Sequence, residues 1–453
     1  MLTAFKLQNF KSYNQEVRLP LGPLTVLIGA NASGKSNIIE GLHFLSWLAQ
    51  GHKLTSLQYN GNSQERIFRG RFDELGYQKN GWFAFRCETN GHEWNKFEMA
   101  LENRSDGLHI AVEHITADGV TVDLYGIKQP SQGTGTDVGV EYNNFSRGRN
   151  KPVTTCSDQM AVFNQLDSPS CFDKDHKKSQ EVIPKTVKEY QRILSDIIFL
   201  DPNPAKMREY SHPTDRRLLG DGTNLSSVLY ALWGNEDQQN QTTLDFIQSQ
   251  ECAIVNRNTI LDFIRSLPEQ DIESLSFLTG PKKEVMVQLT ETFGGEKKIF
   301  DATLLSDGTL RVLAITAALL SAPEGSMVVI EEIDNGVHPS RAGHLMQQIQ
   351  AVAEKRSLRV LLSTHNPALL DALPDSAVPD VVFCYRDPKD GASRLVRLRD
   401  VPHYPELICQ GSLGHLMTEG ILERFVKFQP NDEERKKQAE MWLQNMHSGG
   451  KHE

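Results

Sequence analysis

One run near the start of the chain constrains its fold more than any other: Gly29-Ala30-Asn31-Ala32-Ser33-Gly34-Lys35-Ser36. Before it comes Leu24-Thr25-Val26-Leu27-Ile28, a short apolar and β-branched run that predicts a buried strand. After it comes Asn37-Ile38-Ile39-Glu40-Gly41-Leu42-His43-Phe44-Leu45, which predicts a helix. A glycine-bounded loop ending in Lys-Ser, set between strand and helix, is a phosphate-binding loop. Gly29 and Gly34 let the backbone curl so that its N–H groups face inward onto an anion. Lys35 then reaches the β- and γ-phosphates, and Ser36 offers a hydroxyl to Mg²⁺. Asn31 and Asn37 lie in the same turn and are further candidate contacts. The cofactors implied are ATP and Mg²⁺.

At 453 residues the chain can bury a sizeable core in two or three lobes. Its apolar share of 39% and charged share of 23% are those of a soluble globular protein. No apolar run reaches transmembrane length, and Met1-Leu2-Thr3-Ala4-Phe5-Lys6-Leu7 alternates like a strand, unlike a signal peptide. A cytoplasmic chain with no membrane partner is therefore expected. Cys87, Cys156, Cys171, Cys252, Cys384 and Cys409 are scattered without a C-x-x-C pair, which predicts reduced thiols and no zinc site. The net charge of −10 provides no global basic field, so any DNA contact must come from a local patch or through a partner.

Alternating segments from Trp82 to about Val122 predict an antiparallel meander. Residues 129–151, rich in Gly, Ser, Thr and Asn, read as a mobile surface loop. From Gln180 to Phe263 the pattern turns helical, with apolar spacing over Val182 to Ile198 and Asn224 to Leu232 broken at Asp201-Pro202-Asn203-Pro204. Strand-like alternation resumes at Val285-Met286-Val287-Gln288-Leu289. The expected divisions are 1–170 for an N-terminal half with loop and meander, 171–280 for a helical insertion, 281–430 for a C-terminal half and 431–453 for a charged tail.

Three motifs far down the chain carry further chemistry. Leu304-Leu305-Ser306-Asp307-Gly308-Thr309 opens a helix, with Ser306 a natural N-cap and free N–H groups available to an anion. Met327-Val328-Val329-Ile330 predicts a buried strand that delivers Glu331 and Glu332 at its C-terminal end, where open α/β sheets bind ligands. One carboxylate can join the Mg²⁺ shell while the other orients an attacking water. Val360-Leu361-Leu362-Ser363-Thr364 predicts a strand leading to His365, which could contact the γ-phosphate.

This ordered set resembles the ABC-type ATPase heads of the RecF, SMC and Rad50 group. The likeness is closest at Phe10-Lys11-Ser12-Tyr13 and over Gly29 to Asn37. It implies an α/β fold: an ABC-type P-loop NTPase head with an antiparallel β subdomain and a helical insertion. In that family Ser306, Asp307 and Gly308 form the signature turn, Glu331 is the metal carboxylate, Glu332 orients water, Asp334 lies in the D-loop region and His365 is the switch histidine. Two heads sandwich ATP, each loop being completed by its partner's signature helix, so self-association into a dimer or higher assembly is implied. Two departures stand out. Glu331 replaces the usual Asp with a longer arm, which implies slow hydrolysis. Asp307 replaces a usual Gly, a change common in the compact bacterial branch called AAA15 or AAA21. Gln64 is the candidate for the glutamine loop and a third metal ligand. The chain lacks the coiled-coil arms of SMC proteins.

Compact heads of this branch resemble the ATPase subunits of two-gene antiphage systems. The Septu type, paired with a separate HNH nuclease effector, fits best, and the PARIS type, paired with a Toprim-like effector, is an alternative. Another class of reading is a RecF-like repair clamp that binds DNA directly through a basic groove containing Arg147, Arg149, Lys151, Arg208, Arg216 and Arg217. A transporter ATPase is disfavoured, because the inserted middle block is foreign to that layout.

Overall fold

The computed structural model describes residues 1–58, 67–91, 93–148, 150–234, 243–265, 271–334 and 339–427. The chain opens with β1 (Leu2–Gln8), β2 (Val17–Pro20) and β3 (Leu24–Ile28) and then enters α1 (Lys35–Ala49). Six antiparallel strands follow: β4 (Trp82–Thr89), β5 (Lys96–Arg104), β6 (Gly107–Thr116), β7 (Tyr125–Gln129), β8 (Asp137–Tyr142) and β9 (Val153–Ser157). The middle runs through α2 (Lys177–Ser195), β10 (Ile198–Leu200), α3 (Pro204–Met207), α4 (Leu225–Leu232) and α5 (Thr243–Ile264). A hairpin meander of β11 (Ile272–Thr279), β12 (Val285–Phe293) and β13 (Glu296–Asp301) leads into α6 (Asp307–Ser321). The last part alternates β14 (Met327–Ile330), α7 (Pro339–Lys355), β15 (Arg359–Ser363) and α8 (Pro367–Asp371). It closes with β16 (Val382–Arg386), β17 (Ser393–Arg397), α9 (Tyr404–Ile408), α10 (Leu413–Thr418) and α11 (Ile421–Lys427).

Among the described residues the strands form three sheets. The central one has the order β10-β14-β15-β3-β16-β17, parallel except for the antiparallel β17. A parallel sheet is buried on both faces, so its strands are mostly apolar along their whole length. In β14, Val328 and Ile330 face one core while Met327 and Val329 face the other. The first core holds α6, whose Leu310, Leu313, Ala314, Ala317 and Leu319 are all buried, packed with α4, α5 and α7. The second holds α1, α2 and the inner face of the large antiparallel sheet, ordered β2-β1-β4-β5-β6-β7-β8-β9. The third sheet, β11-β12-β13, leans on α4 and α5.

The α/β head with an antiparallel β subdomain is therefore the fold, with differences in its parts. The meander extends past Val122 to Ser157. Residues 129–151, expected as a mobile loop, contain β8, where Val138, Val140 and Tyr142 are buried under the sheet. Polar residues at alternate, outward positions hid that strand. The helix expected over Val182 to Ile198 runs over Lys177–Ser195, and Ile198 begins β10. The middle block is also divided between cores. α2 packs on the second core, β10 joins the central sheet beside β14, and α4 and α5 belong to the first core. No helix among the described residues is long and apolar enough to cross a membrane.

Candidate nucleotide site

β3 ends in the glycine-bounded loop and α1 begins at Lys35, so the N-terminus of a fifteen-residue helix opens onto the loop. Gly29 and Gly34 have φ of 146° and 122°, where L-residues are strained. A Cβ on Gly29 would sit 2.2 Å from the Cys384 carbonyl oxygen, and one on Gly34 would sit 2.4 Å from Ser393 Oγ. The two glycines thus let β16 and β17 press directly against the loop. Four side chains brace it from below. Tyr13 Oη donates to Gly34 O (3.1 Å), Ser393 Oγ to Ser33 O (2.5 Å), Cys384 Sγ to Ser33 O (3.3 Å) and Asn37 Nδ2 to Ser12 Oγ (2.8 Å). The Phe10-to-Tyr13 motif is therefore the floor of the loop: Ser12 and Tyr13 hold it, and Phe10 anchors the turn in the aromatic cluster with Phe83 and Phe85.

Lys35 bends back to donate to Gly29 O (2.6 Å) and Ala30 O (3.0 Å). Burial lowers its pKa, opposed by the charges of Cys384, Glu332 and Asp334. A phosphate at the loop would supply the full counter-charge that these groups supply in part.

A cleft of about 310 Å³ is walled by Asn31, Gly34, Lys35, Ser36 and Asn37 on one side and by Glu331, Glu332, Ser363, Thr364 and His365 on the other. The parallel pairing of β14, β15 and β3 places their C-terminal ends side by side, which brings these distant segments together. Backbone bonds stitch the acidic turn to β15: Glu332 N donates to Ser363 Oγ (3.0 Å) and Ile333 N to Ser363 O (3.2 Å). Glu332 has φ 48°, a left-handed backbone unusual outside glycine and a form of strain typical of functional turns.

Burial pushes the Glu331 carboxyl up to about 7; the carboxylates of Asp201, Glu40 and Glu332 add to the shift, and the Arg69 guanidinium opposes it. Among the described residues no hydrogen-bond donor reaches its side chain. A half-buried carboxylate without such donors, lining one cleft with a serine hydroxyl at the head of a helix, suits a hard cation such as Mg²⁺. Ser36 and Glu331 are the residues that would hold it.

The other expected positions lie elsewhere. Gly29 forms the base of the loop, and its carbonyl receives Lys35. Ser306 caps α6 by accepting from Thr309 N (3.1 Å). Arg208 Nη2 donates to Leu305 O (2.9 Å) and Asp307 Oδ1 (2.7 Å). None of Ser306, Asp307 and Gly308 lines the cleft. Gln64 lies outside the described residues, as does Arg149. Of the other candidates for a basic groove, Arg147 is exposed, whereas Lys151 donates to Asn144 and Ser146, Arg216 to Pro213, and Arg217 to Ser195 and Ile197.

Two arginines on the cleft wall were not identified from the sequence. Arg69 pairs with Glu40, which also receives Lys11. Arg386 Nε donates to Ala32 O (3.0 Å) from the end of β16. Arg69 stands five residues after Gln64, the candidate for the glutamine loop, so a signal was within reach. Arg386 has none, because its place depends on β16 docking beside β3 from more than 350 residues away.

The family described as "AAA domain, putative AbiEii toxin, Type IV TA system" matches residues 24–97 and 173–371, more than half of the chain. Over 53 residues the chain is 43% identical to the DNA replication and repair protein RecF of Lactococcus lactis subsp. lactis (strain IL1403). That stretch covers 12% of this chain and 14% of the RecF protein. Among solved structures, an SmcHead bound to the C-winged helix domain of ScpA is 13% identical, covering 87% of this chain and 97% of that one, with a TM-score of 0.47. An Smc head domain from Pyrococcus furiosus, with an extended coiled coil and bound to the C-terminal domain of ScpA, is 14% identical. It covers 94% of this chain and 99% of that one, with a TM-score of 0.46.

Proposed function

This chain belongs to that family of AAA domains, and from that premise we propose that it binds and hydrolyses ATP to switch an assembly of several chains. The observation that carries the reading is the single cleft in which a braced phosphate loop faces Glu331, Glu332 and His365. The loop N–H groups and Lys35 hold the β- and γ-phosphates, and Asn31 and Asn37 flank them. Mg²⁺, when bound by Ser36 and Glu331, supplies charge neutralisation at the phosphates. Glu332 orients the attacking water, and His365 meets the γ-phosphate side. The Ser306–Gly308 turn, which stands off the cleft, would complete the site of a second copy.

The assembly we propose is an antiphage complex of the Septu type, in which this ATPase holds and regulates a separate HNH nuclease. A family description that names a toxin of a TA system supports a role alongside other chains. Lys35→Ala is expected to weaken ATP binding by at least about 30-fold, since the phosphates lose their main cation; unchanged affinity would remove the loop from the site. For the partner, the purified chain is expected to bind an HNH nuclease and to leave DNA intact on its own. Metal-dependent DNA cleavage by the chain alone, persisting in Lys35→Ala, would sink the regulatory reading.

The RecF match favours a second reading, a DNA-binding repair ATPase. It predicts a gel-shift affinity that falls steeply as salt rises, whereas the regulatory subunit predicts a weak and shallow response. A PARIS-like sensor would be distinguished by a Toprim-type partner in place of the HNH one.

A further inference from the structure

Asp334 is buried to all but 6% of its side chain, four residues beyond the end of β14. Its Oδ2 lies 3.5 Å from Nδ1 of His365, while its Oδ1 is buried and meets no hydrogen-bond donor among the described residues. A buried carboxylate oxygen without a donor is costly and is seldom kept for packing alone. The turn that carries Asp334 is tied by Glu332 N and Ile333 N to Ser363, two residues before His365. The carboxylate and the imidazole are therefore held in fixed register, although they come from different strands. His365 itself is half-exposed on the cleft wall.

We propose that Asp334 is the positioning residue of His365, fixing its ring orientation and tautomer for the phosphate. A carboxylate accepting from Nδ1–H leaves Nε2 as the nitrogen that addresses the cleft. When the ring carries both protons, Nδ1–H donates to Asp334 and Nε2–H to the phosphate oxygens. Without Asp334 the ring rotates freely, and the Nε2–H tautomer preferred in water takes over. This inference rests on the hydrolytic reading for its effect on rate, but not for the pairing itself.

Two measurements test it separately. In protein labelled with ¹⁵N at histidine, His365, assigned by its loss in His365→Ala, is expected to carry its proton on Nδ1 and to move toward Nε2 in Asp334→Ala. An unchanged tautomer in Asp334→Ala overturns the pairing, whether or not the chain hydrolyses ATP. In steady-state assays Asp334→Ala is expected to lower kcat about 10- to 100-fold with KM for ATP within about threefold. Asp334→Asn, which keeps the volume and an acceptor oxygen, is expected to lose about 3- to 10-fold and guards against a folding defect. Because Asp334 acts through His365, Asp334→Ala should add less than about twofold to the loss already present in His365→Ala. Full additivity, or a kcat in Asp334→Ala within twofold of the unmodified chain, overturns the positioning role. An unmodified chain without turnover refutes hydrolysis instead, and the tautomer then decides the pairing alone.

Discussion

Glu113 and Glu331 are both carboxyls that burial raises to about 7, yet they serve opposite ends. Glu113, fully buried in β6, accepts from Val162 N (2.8 Å), Phe163 N (2.8 Å) and Tyr125 Oη (2.8 Å). It ties two strands and a turn of the antiparallel lobe together, and its donors answer its charge from within the chain. Glu331 has no such donors and faces Asp201, Glu40 and Glu332. Its charge is left for something that arrives. One carboxylate is complete when the chain folds, and on the proposed reading the other is completed by a cation, which would be the physical difference between a scaffold and a site.

The sharpest way to break that contrast is to neutralise the acidic turn. Glu332→Gln is expected to cut turnover at least about 100-fold while ATP affinity stays within a few-fold, because it removes the oxygen proposed to orient water and leaves the phosphate contacts in place. A nucleotide-bound dimer should accumulate, visible as a mass shift on size exclusion with ATP. Normal turnover would transfer the role to another residue.

Next in size is the pair Glu331→Gln and Glu113→Gln, which should trade signs. Glu331→Gln is expected to reduce turnover by about 100-fold and to leave the melting temperature unchanged or higher, since an uncompensated buried charge is gone. Glu113→Gln puts an amide N–H₂ against a backbone N–H and should cost about 2 kcal/mol of stability, with turnover per folded molecule unchanged. A stable Glu113→Gln or an unstable Glu331→Gln would erase the distinction.

The pH response offers a finer cut. A carboxyl raised to about 7 must lose its proton before it can hold Mg²⁺, so Mg²⁺ affinity should fall about tenfold between pH 8 and pH 6. Glu331→Gln should remove that dependence along with most of the affinity. The stability sign is opposite to the usual acid case. Between the unfolded value near 4.5 and the folded value near 7 the native state holds more protons, so Glu331 and Glu113 contribute stability below pH 4.5 that is lost as pH rises through 7. Melting curves in the absence of metal should decline across that window, and Glu331→Gln should make the decline shallower, leaving the share of Glu113.

How far the sequence could be read follows the same division. Gly29 to Asn37, Glu331, Glu332 and His365 were legible because each sits at the end of an apolar strand, and parallel sheets put such ends together. The three-carboxylate setting of Glu331 was not legible: Asp201 reaches it through the pairing of Leu200 with Ile330, a contact across 130 residues. Strand β8 was missed because its outward residues are Asp, Gly and Glu, whose turn propensity outweighed the alternating Val138, Val140 and Tyr142. The partners of Arg208 were hidden for a related reason: a lone arginine in sequence gives no sign of the acceptors it meets 97 and 99 residues away.

That pairing supports the smallest prediction. Asp307 is the surface counterpart of the two buried acids: it is 65% exposed and answered by Arg208. Such a pair contributes about 0–1 kcal/mol, so Asp307→Gly should barely move the melting temperature. Its charge nevertheless lies at the N-terminus of α6, where the helix would otherwise favour an anion. If a second copy's γ-phosphate docks there, removing Asp307 also frees Arg208 to face that phosphate. ATP-dependent association should then strengthen about threefold, and the gain should shrink at high salt as screening weakens both terms. Association that weakens in Asp307→Gly would mean that the Arg208–Asp307 pair shapes the turn rather than burdening it, and Arg208→Ala would then show the same loss.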